Sequence, residues 1–331
     1  MAIFDGDSSL LAAITPTSVA NLECMAASRA YFPKVHTNGD KMAALAATGH
    51  DLLGFDSVAP YYCIHQEAAA LGCKMNWGTR TTMPSIVSGP VLDLDKLRRA
   101  EAFLDAPSTR AVLEAVGLLK QRYEGKVAVI GKVIGPWTLA YNLCGIQSFL
   151  LNTVLDTEYV KELLDVLKEI TLKFAFAQIE AGADILTWAD HATANLVSYK
   201  MYEELLYPVH KECTKRLEAA SPRKVPLILH TCGDTMDRVW LFAKAGFDAF
   251  HFDSTNSPIV MMAEVEERML LTGCVNNPNT LLNGSKIDVY EQVNSIIDAG
   301  VRLISPECAI PPVVRSENLR AIVSAVRRRM V

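Results

Sequence analysis

The 331-residue chain has no apolar stretch approaching the ~20 residues that a membrane-spanning helix needs. Residues 1–7 carry neither the charged region nor the small-residue cleavage pattern of a secretory signal. No internal repeat, low-complexity run or linker interrupts the sequence. A basic stripe for nucleic acid is also lacking: 32 Lys and Arg stand against 37 Asp and Glu, a formal charge of −5. Arg327, Arg328 and Arg329 form a dense cluster, which reads as the solvated end of a last helix. Gly-X-Gly-X-X-Gly does not occur, and with it goes the phosphate turn of a nucleotide-binding, doubly wound sheet. The eight cysteines are scattered, unlike a disulfide framework, and read as free thiols in a reducing cytoplasm.

What is present is a large core and a regular alternation. Half of the residues are hydrophobic. From about residue 125, short apolar runs at 127–130, 185–188, 227–229, 249–252, 270–272 and 303–305 alternate with helical patterns. One helix is predicted after Asp156, a fitting N-cap, with Val160, Leu163, Leu164, Leu167, Ile170 and Phe174 at helical spacing, ending at Gly182. Another is predicted from about Ser198 to Ala220. Two further strands are expected near residues 10–14 and 57–59. Eight strand–helix units in one domain, residues 1–331, predict a (β/α)8 TIM barrel. The less regular stretch at about 75–104 is expected as an insertion near the barrel mouth.

Active sites of such barrels form where the strands end. His230-Thr231-Cys232 closes one apolar run, and residues two apart on a strand share a face. Cys308 lies just past another run, in Ser305-Pro306-Glu307-Cys308. One nitrogen and two sulfurs make a three-ligand zinc site with an open fourth position, the catalytic type. Buried free cysteine and core histidine are the ordinary alternative for each residue taken alone. Asp190, Asp253 and Asn276 also fall at strand ends and converge on the same mouth if the barrel closes.

These residues resemble a known group. The chain is similar to the methylcobamide:coenzyme M methyltransferases of the uroporphyrinogen decarboxylase superfamily, in which His-X-Cys is followed after roughly seventy-five residues by Cys; here 75 residues separate Cys232 from Cys308. Matching pieces include Lys41-Met42-Ala43-Ala44-Leu45-Ala46, Ile134-Gly135-Pro136-Trp137-Thr138, Glu180-Ala181-Gly182-Ala183-Asp184 and Gly273-Cys274-Val275-Asn276. The resemblance covers nearly the whole chain, apart from a shorter start before the first strand. It implies a uroporphyrinogen decarboxylase-type barrel, Zn2+ on His230, Cys232 and Cys308, and methyl transfer from a methylcobamide to the thiol of coenzyme M. Because no Asp-X-His-X-X-Gly occurs, the cobamide is expected on a separate corrinoid protein. The porphyrinogen-decarboxylating branch fits less well, since no Arg-rich loop precedes Arg29.

Within that resemblance Asp253 is a candidate fourth ligand or proton acceptor, or else a strand-end acid capping the next loop. Asp190 is a candidate to orient His230 or line the pocket, or else pairs with a neighbouring strand. Asn276 and Tyr61 are candidate contacts to the thiol substrate, and Tyr61, Tyr62, Trp77, Met83 and Trp137 candidate members of an apolar rim for the corrinoid. His251 is expected as a buried, hydrogen-bonded histidine behind the site, and His191 is open between core and site. Cys24, Cys63, Cys73, Cys144 and Cys213 are expected in the core, with Cys274 near the mouth. Alternatives to coenzyme M transfer are another thiol acceptor such as homocysteine, a corrinoid-loading demethylase, or a non-catalytic corrinoid-binding protein.

Overall fold

Every second residue of the central strands points into one shared interior, and that interior changes character with height. The computed structural model describes residues 2–5, 10–90, 92–220, 225–265 and 268–330, so the opening stretch 1–7 falls only partly within it. Among the described residues ten strands are found: β1 Ala12–Ala13, β2 Ser57–Val58, β3 Lys74–Asn76, β4 Ser85–Ser88, β5 Ala128–Ile134, β6 Ile185–Ala189, β7 Leu227–His230, β8 Ala249–Phe252, β9 Leu270–Val275 and β10 Leu303–Pro306. Eight of them form a parallel sheet in the order β1-β10-β9-β8-β7-β6-β5-β2. This is a TIM barrel, the fold expected from the strand–helix alternation.

The floor of the barrel is apolar. Ile14, Ala59, Ile130, Ile185, Ile228 and Leu303 meet there, with Ile3 from the helical turn Ala2–Asp5 packed beneath. Two residues further along each strand, the same face turns polar: Lys132, Thr187, His230, His251, Thr272 and Ser305, all buried. Burying uncompensated polar groups is costly, so such a layer survives only with partners. Thr187 Oγ1 donates to the Pro16 carbonyl at 2.7 Å, His251 Nε2 lies 2.8 Å from the Pro306 carbonyl, and Thr272 Oγ1 lies 3.4 Å from Ser305 Oγ.

The two-residue strands β1 and β2 are too short to close the barrel by a ladder. Their seam is stitched by Asp56 N–H donating to the Ala13 carbonyl at 2.8 Å, Ala13 N–H to Asp56 Oδ2 at 2.9 Å, and Thr15 N–H to Ser57 Oγ at 2.8 Å. This accounts for the shortness of the strand expected at 10–14: side chains take over most of the main-chain pairing there.

The helix Thr157–Ala181 starts at Asp156, whose carboxylate accepts the Tyr159 N–H at 3.1 Å, and stops before Gly182, as its pattern predicts. The helix predicted from Ser198 is continuous to Ala220 but widens to a π turn at Tyr202–Leu206. Pro208 lies two residues beyond and has no N–H to give the turn below it, which favours the wider winding. The 75–104 stretch is more ordered than expected. It holds most of the antiparallel hairpin β3–β4, whose Trp77 stacks on His36 at 5.9 Å. It also holds the helix Leu94–Arg99, whose Arg98 pairs with Glu162 at 2.5 Å on the flank of the barrel. No helix among the described residues is long and apolar enough to cross a membrane.

Ser57 is fully buried and its hydroxyl serves both the amide and the hydroxyl of Thr15. Ser57→Ala leaves that buried amide unpaired. The expected cost is about 1–3 kcal/mol of unfolding free energy, read as a lower denaturation midpoint. An unchanged midpoint would show that the seam does not hold the barrel closed.

Candidate metal centre

His230 is the last residue of β7, two positions above Ile228, so its ring projects into the barrel at the top of the polar layer. Its Nδ1 faces the His251 carbonyl at 3.3 Å, which assigns the proton to Nδ1 and leaves the Nε2 lone pair free. The His251 ring lies against it, centroids 4.6 Å apart. His251 is held neutral, its pKa lowered to about 3 by burial first and by the neighbouring His230 second.

The chain then turns sharply at Cys232-Gly233. Gly233 has φ +83°, and a Cβ there would overlap Thr193 Oγ1, so the turn requires glycine. Its N–H donates to the Asp253 carboxylate, and its carbonyl accepts from Asn256 Nδ2 at 2.9 Å. On the far side, Cys308 follows β10. The preceding Glu307 is buried and ties three loops together: Oε2 accepts Ser254 N–H at 2.9 Å and Ser254 Oγ at 2.5 Å, and Oε1 accepts Asn277 N–H at 2.7 Å.

The three groups meet. Cys232 Sγ lies 3.3 Å from His230 Nε2, Cys308 Sγ lies 3.6 Å from the same nitrogen, and the sulfurs are 3.4 Å apart. A tetrahedral zinc with Zn–S about 2.3 Å and Zn–N about 2.0 Å holds its ligand atoms roughly 3.5–3.8 Å apart, so the triangle fits such an ion with little adjustment. His230, Cys232 and Cys308 form the one His/Cys/Asp/Glu group among the described residues placed to hold a metal. Both cysteines are partly exposed, which leaves a side of the cluster open to the mouth. The Cys232 thiol donates to Cys308 and holds the Cys308 sulfur well below the usual thiol range; Cys232 is correspondingly pushed up. The pair thus already favours one thiolate, as a metal ligand must be.

The uroporphyrinogen decarboxylase (URO-D) family model matches residues 14–329. The chain belongs to the uroporphyrinogen decarboxylase family. Within that family it is 30% identical to the methylcobamide:CoM methyltransferase MtbA of Methanosarcina acetivorans over 317 residues, 95% of this chain and 92% of the relative. The methylcobamide:CoM methyltransferase MtaA of Methanosarcina barkeri is 30% identical over 320 residues, 94% of this chain and 91% of that one. A uroporphyrinogen decarboxylase of Saccharophagus degradans is 28% identical over 78% of this chain and 74% of its own length. The solved structure of a methyltransferase from Methanosarcina mazei superposes with a TM-score of 0.93 at 26% identity, covering 100% of this chain and 97% of that one. By this kinship the chain is a methyltransferase of the uroporphyrinogen decarboxylase family.

The other candidate residues stand at the strand ends of this family barrel, but with their polar atoms engaged. Asp253 is outside the metal-ligand group. Besides Gly233 N–H, its carboxylate accepts Thr255 N–H at 3.0 Å, so it braces the turn that carries Cys232. Asp190 turns away from His230. Its Oδ1 accepts Thr138 N–H at 2.7 Å and Thr138 Oγ1 at 3.0 Å, and its Oδ2 lies 3.0 Å from His210 Nε2. It caps the helix Pro136–Cys144, and the orienting contact to His230 comes from the His251 carbonyl instead. Asn276 caps the turn Asn277–Leu282 through Asn279 N–H at 2.6 Å and donates to Ser254 Oγ at 2.7 Å.

Tyr61 is 1% exposed and its hydroxyl donates to Glu67, so it does not reach the rim. Tyr62 and Trp137 are buried too, whereas Met83 is exposed. Their aromatic bulk suits the space between strands and helices better than water, which is why the rim expectation fails for them. His191 is half-buried; burial first and His230 second hold its pKa down, and it also feels Cys308 and Asp253.

Sequence reasoning missed Lys132, Glu67, His210 and Glu307. Lys132 carried a signal: a lysine inside an otherwise apolar strand, two residues past Ile130 and hence on the inward face.

Asp253 acts on the site through the Gly233 amide. Asp253→Ala is expected to retain one zinc while weakening its affinity about 10–100-fold, the usual range for a lost outer partner of a metal site. Competition with a chromophoric chelator measures this, and wild-type affinity in the variant would refute the bracing role.

Proposed function

We propose that this protein transfers a methyl group from a methylated corrinoid, carried by a separate corrinoid protein, to the thiol of coenzyme M, using a zinc ion held by His230, Cys232 and Cys308. The observation that carries the reading is the triangle of one nitrogen and two sulfurs with ligand-to-ligand distances of 3.3, 3.4 and 3.6 Å. The relatives MtbA and MtaA are named for methylcobamide and CoM, which supports the choice of donor and acceptor.

The chemical difficulty is the acceptor: an alkyl thiol titrates at about 8.5 and only its thiolate attacks. When bound, zinc would stabilise the thiolate of the acceptor at the open position while leaving its sulfur nucleophilic. The chain's own residues prepare that position. His230 is fixed in the tautomer that directs Nε2 at the sulfurs. Asp253 and Glu307 hold the loops bearing Cys232 and Cys308. The apolar floor of the barrel excludes water from below. The methyl-bearing partner must approach along the barrel axis, because helices cover the flanks. Ile64, Met83, Val87, Leu196, Ile259 and Val313, exposed on segments that follow barrel strands, suit an apolar docking rim. All eight cysteines are free thiols, consistent with a reducing cytoplasm.

Purified protein is expected to contain about one zinc per chain and to demethylate methylcobalamin with coenzyme M, followed by the colour change of the corrinoid and by thioether formation. Cys232→Ala and Cys308→Ala should each lose the metal and lower turnover by about 10³-fold or more. Turnover of metal-stripped protein at the wild-type rate would sink the reading. A panel of thiols including homocysteine tests the acceptor: a preference for another thiol leaves the metal chemistry standing and replaces coenzyme M.

A further inference from the structure

Lys132 is the exception in the polar layer. It is 4% exposed, in the middle of β5, and among the described residues its Nζ makes no hydrogen bond and has no carboxylate oxygen within 4.0 Å. Its ring neighbour is Tyr61, with Nζ 5.3 Å from the centroid. Burial is the strongest influence on Lys132 and lowers its pKa; Cys308, Cys232, Glu67 and Cys63, in that order, act the other way and favour the ammonium. An ammonium in so closed an interior, without an ion pair, is expensive unless negative charge stands close by. Here the nearby negative charge belongs first to the Cys308 sulfur, which Cys232 joins as a second thiolate when a metal is held.

We propose that Lys132 is a positioning residue for the thiolate acceptor: its fixed positive charge, on the barrel side of Cys232 and Cys308, offsets the negative charge that gathers when a substrate thiolate joins two cysteine thiolates. This rests on the metal-centre reading above and deepens it. Two cysteine thiolates and one substrate thiolate around a divalent ion leave one net negative charge, in a site walled by protein. Lys132 brings the sum to zero without donating a hydrogen bond to the attacking sulfur, so the nucleophile keeps its lone pairs. In a poorly solvated interior such a charge acts over several ångströms.

Glu67 adjusts how much of that charge the sulfurs feel. It is fully buried on the helix Gln66–Ala70, accepts Ile134 N–H at 2.8 Å and the Tyr61 hydroxyl, and burial pushes its pKa up to about 7. Tyr61 and Cys63, from the stretch after β2, and Lys132 on β5 are the titratable groups facing it. Above its pKa the carboxylate opposes Lys132; below it, the ammonium acts alone.

The test uses full-length, zinc-loaded protein and calorimetric affinities for coenzyme M and for its S-methyl thioether, which carries no thiolate. Lys132→Met is expected to keep its zinc, bind coenzyme M about tenfold or more weakly near pH 7, and bind the thioether within about twofold of wild type. A merely structural role would weaken both ligands alike. Glu67→Gln decides the matter if Lys132→Met does not hold zinc: it should match wild type at about pH 6 and bind coenzyme M several-fold more tightly at about pH 8, where wild-type Glu67 is ionised. Unchanged thiol affinity in zinc-loaded Lys132→Met, equal loss for thiol and thioether, or a Glu67→Gln variant indistinguishable from wild type at both pH values overturns the proposal. Wild-type protein that takes no zinc or binds no thiol sinks the functional reading itself, a separate and recognisable result.

Discussion

Closure of the parallel sheet is the constraint on which the site depends. Cys232 follows β7 and Cys308 follows β10, three strands apart in the sheet. In an open sheet with strands about 4.8 Å apart, the ends of such strands would stand roughly 14 Å from each other. Here the two sulfurs are 3.4 Å apart, because the sheet curves and the strand-end loops reach inward across the mouth. The floor of isoleucines and the side-chain seam between β1 and β2 therefore serve the candidate metal site as much as they serve stability.

The interior makes a graded transition along its axis. Each central strand exchanges an apolar inward residue for a polar one two positions later: Ile130 for Lys132, Ile185 for Thr187, Ile228 for His230, Ala249 for His251, Leu270 for Thr272 and Leu303 for Ser305. The apolar step excludes water and fixes the strands. The polar step surrounds the site with groups that are hydrogen-bonded, apart from Lys132. A buried ammonium is costly unless compensating negative charge is present with it.

The strand-end carboxylates stand apart from the three candidate metal ligands and hold the loops around them still. Asp253, Asp190 and Glu307 occupy equivalent places in the barrel, yet each spends its oxygens on loop or helix N–H groups. Backbone amides that do not pair in the ladder need acceptors, and an acid just past a strand is well placed to supply one. The same chemistry that suggested metal ligation or proton transfer at Asp253 and Asp190 is used to fix geometry.

The sequence by itself determined the strands, since buried parallel strands must read as short apolar runs between helices. It also determined the three candidate ligands, since His230 and Cys232 share a face wherever that strand lies and Cys308 follows another strand end. It did not determine which way a carboxylate turns, as with Asp190 toward Thr138 and His210, because those partners come from elements far away along the chain. Nor did it reveal that Tyr61 pairs with Glu67, or that Lys132 lies over the Tyr61 ring, because an inward face acquires neighbours only when the barrel closes. Periodicity fixes the direction of a side chain within its own strand; what it meets there is decided by the curvature that brings eight strands around a single axis.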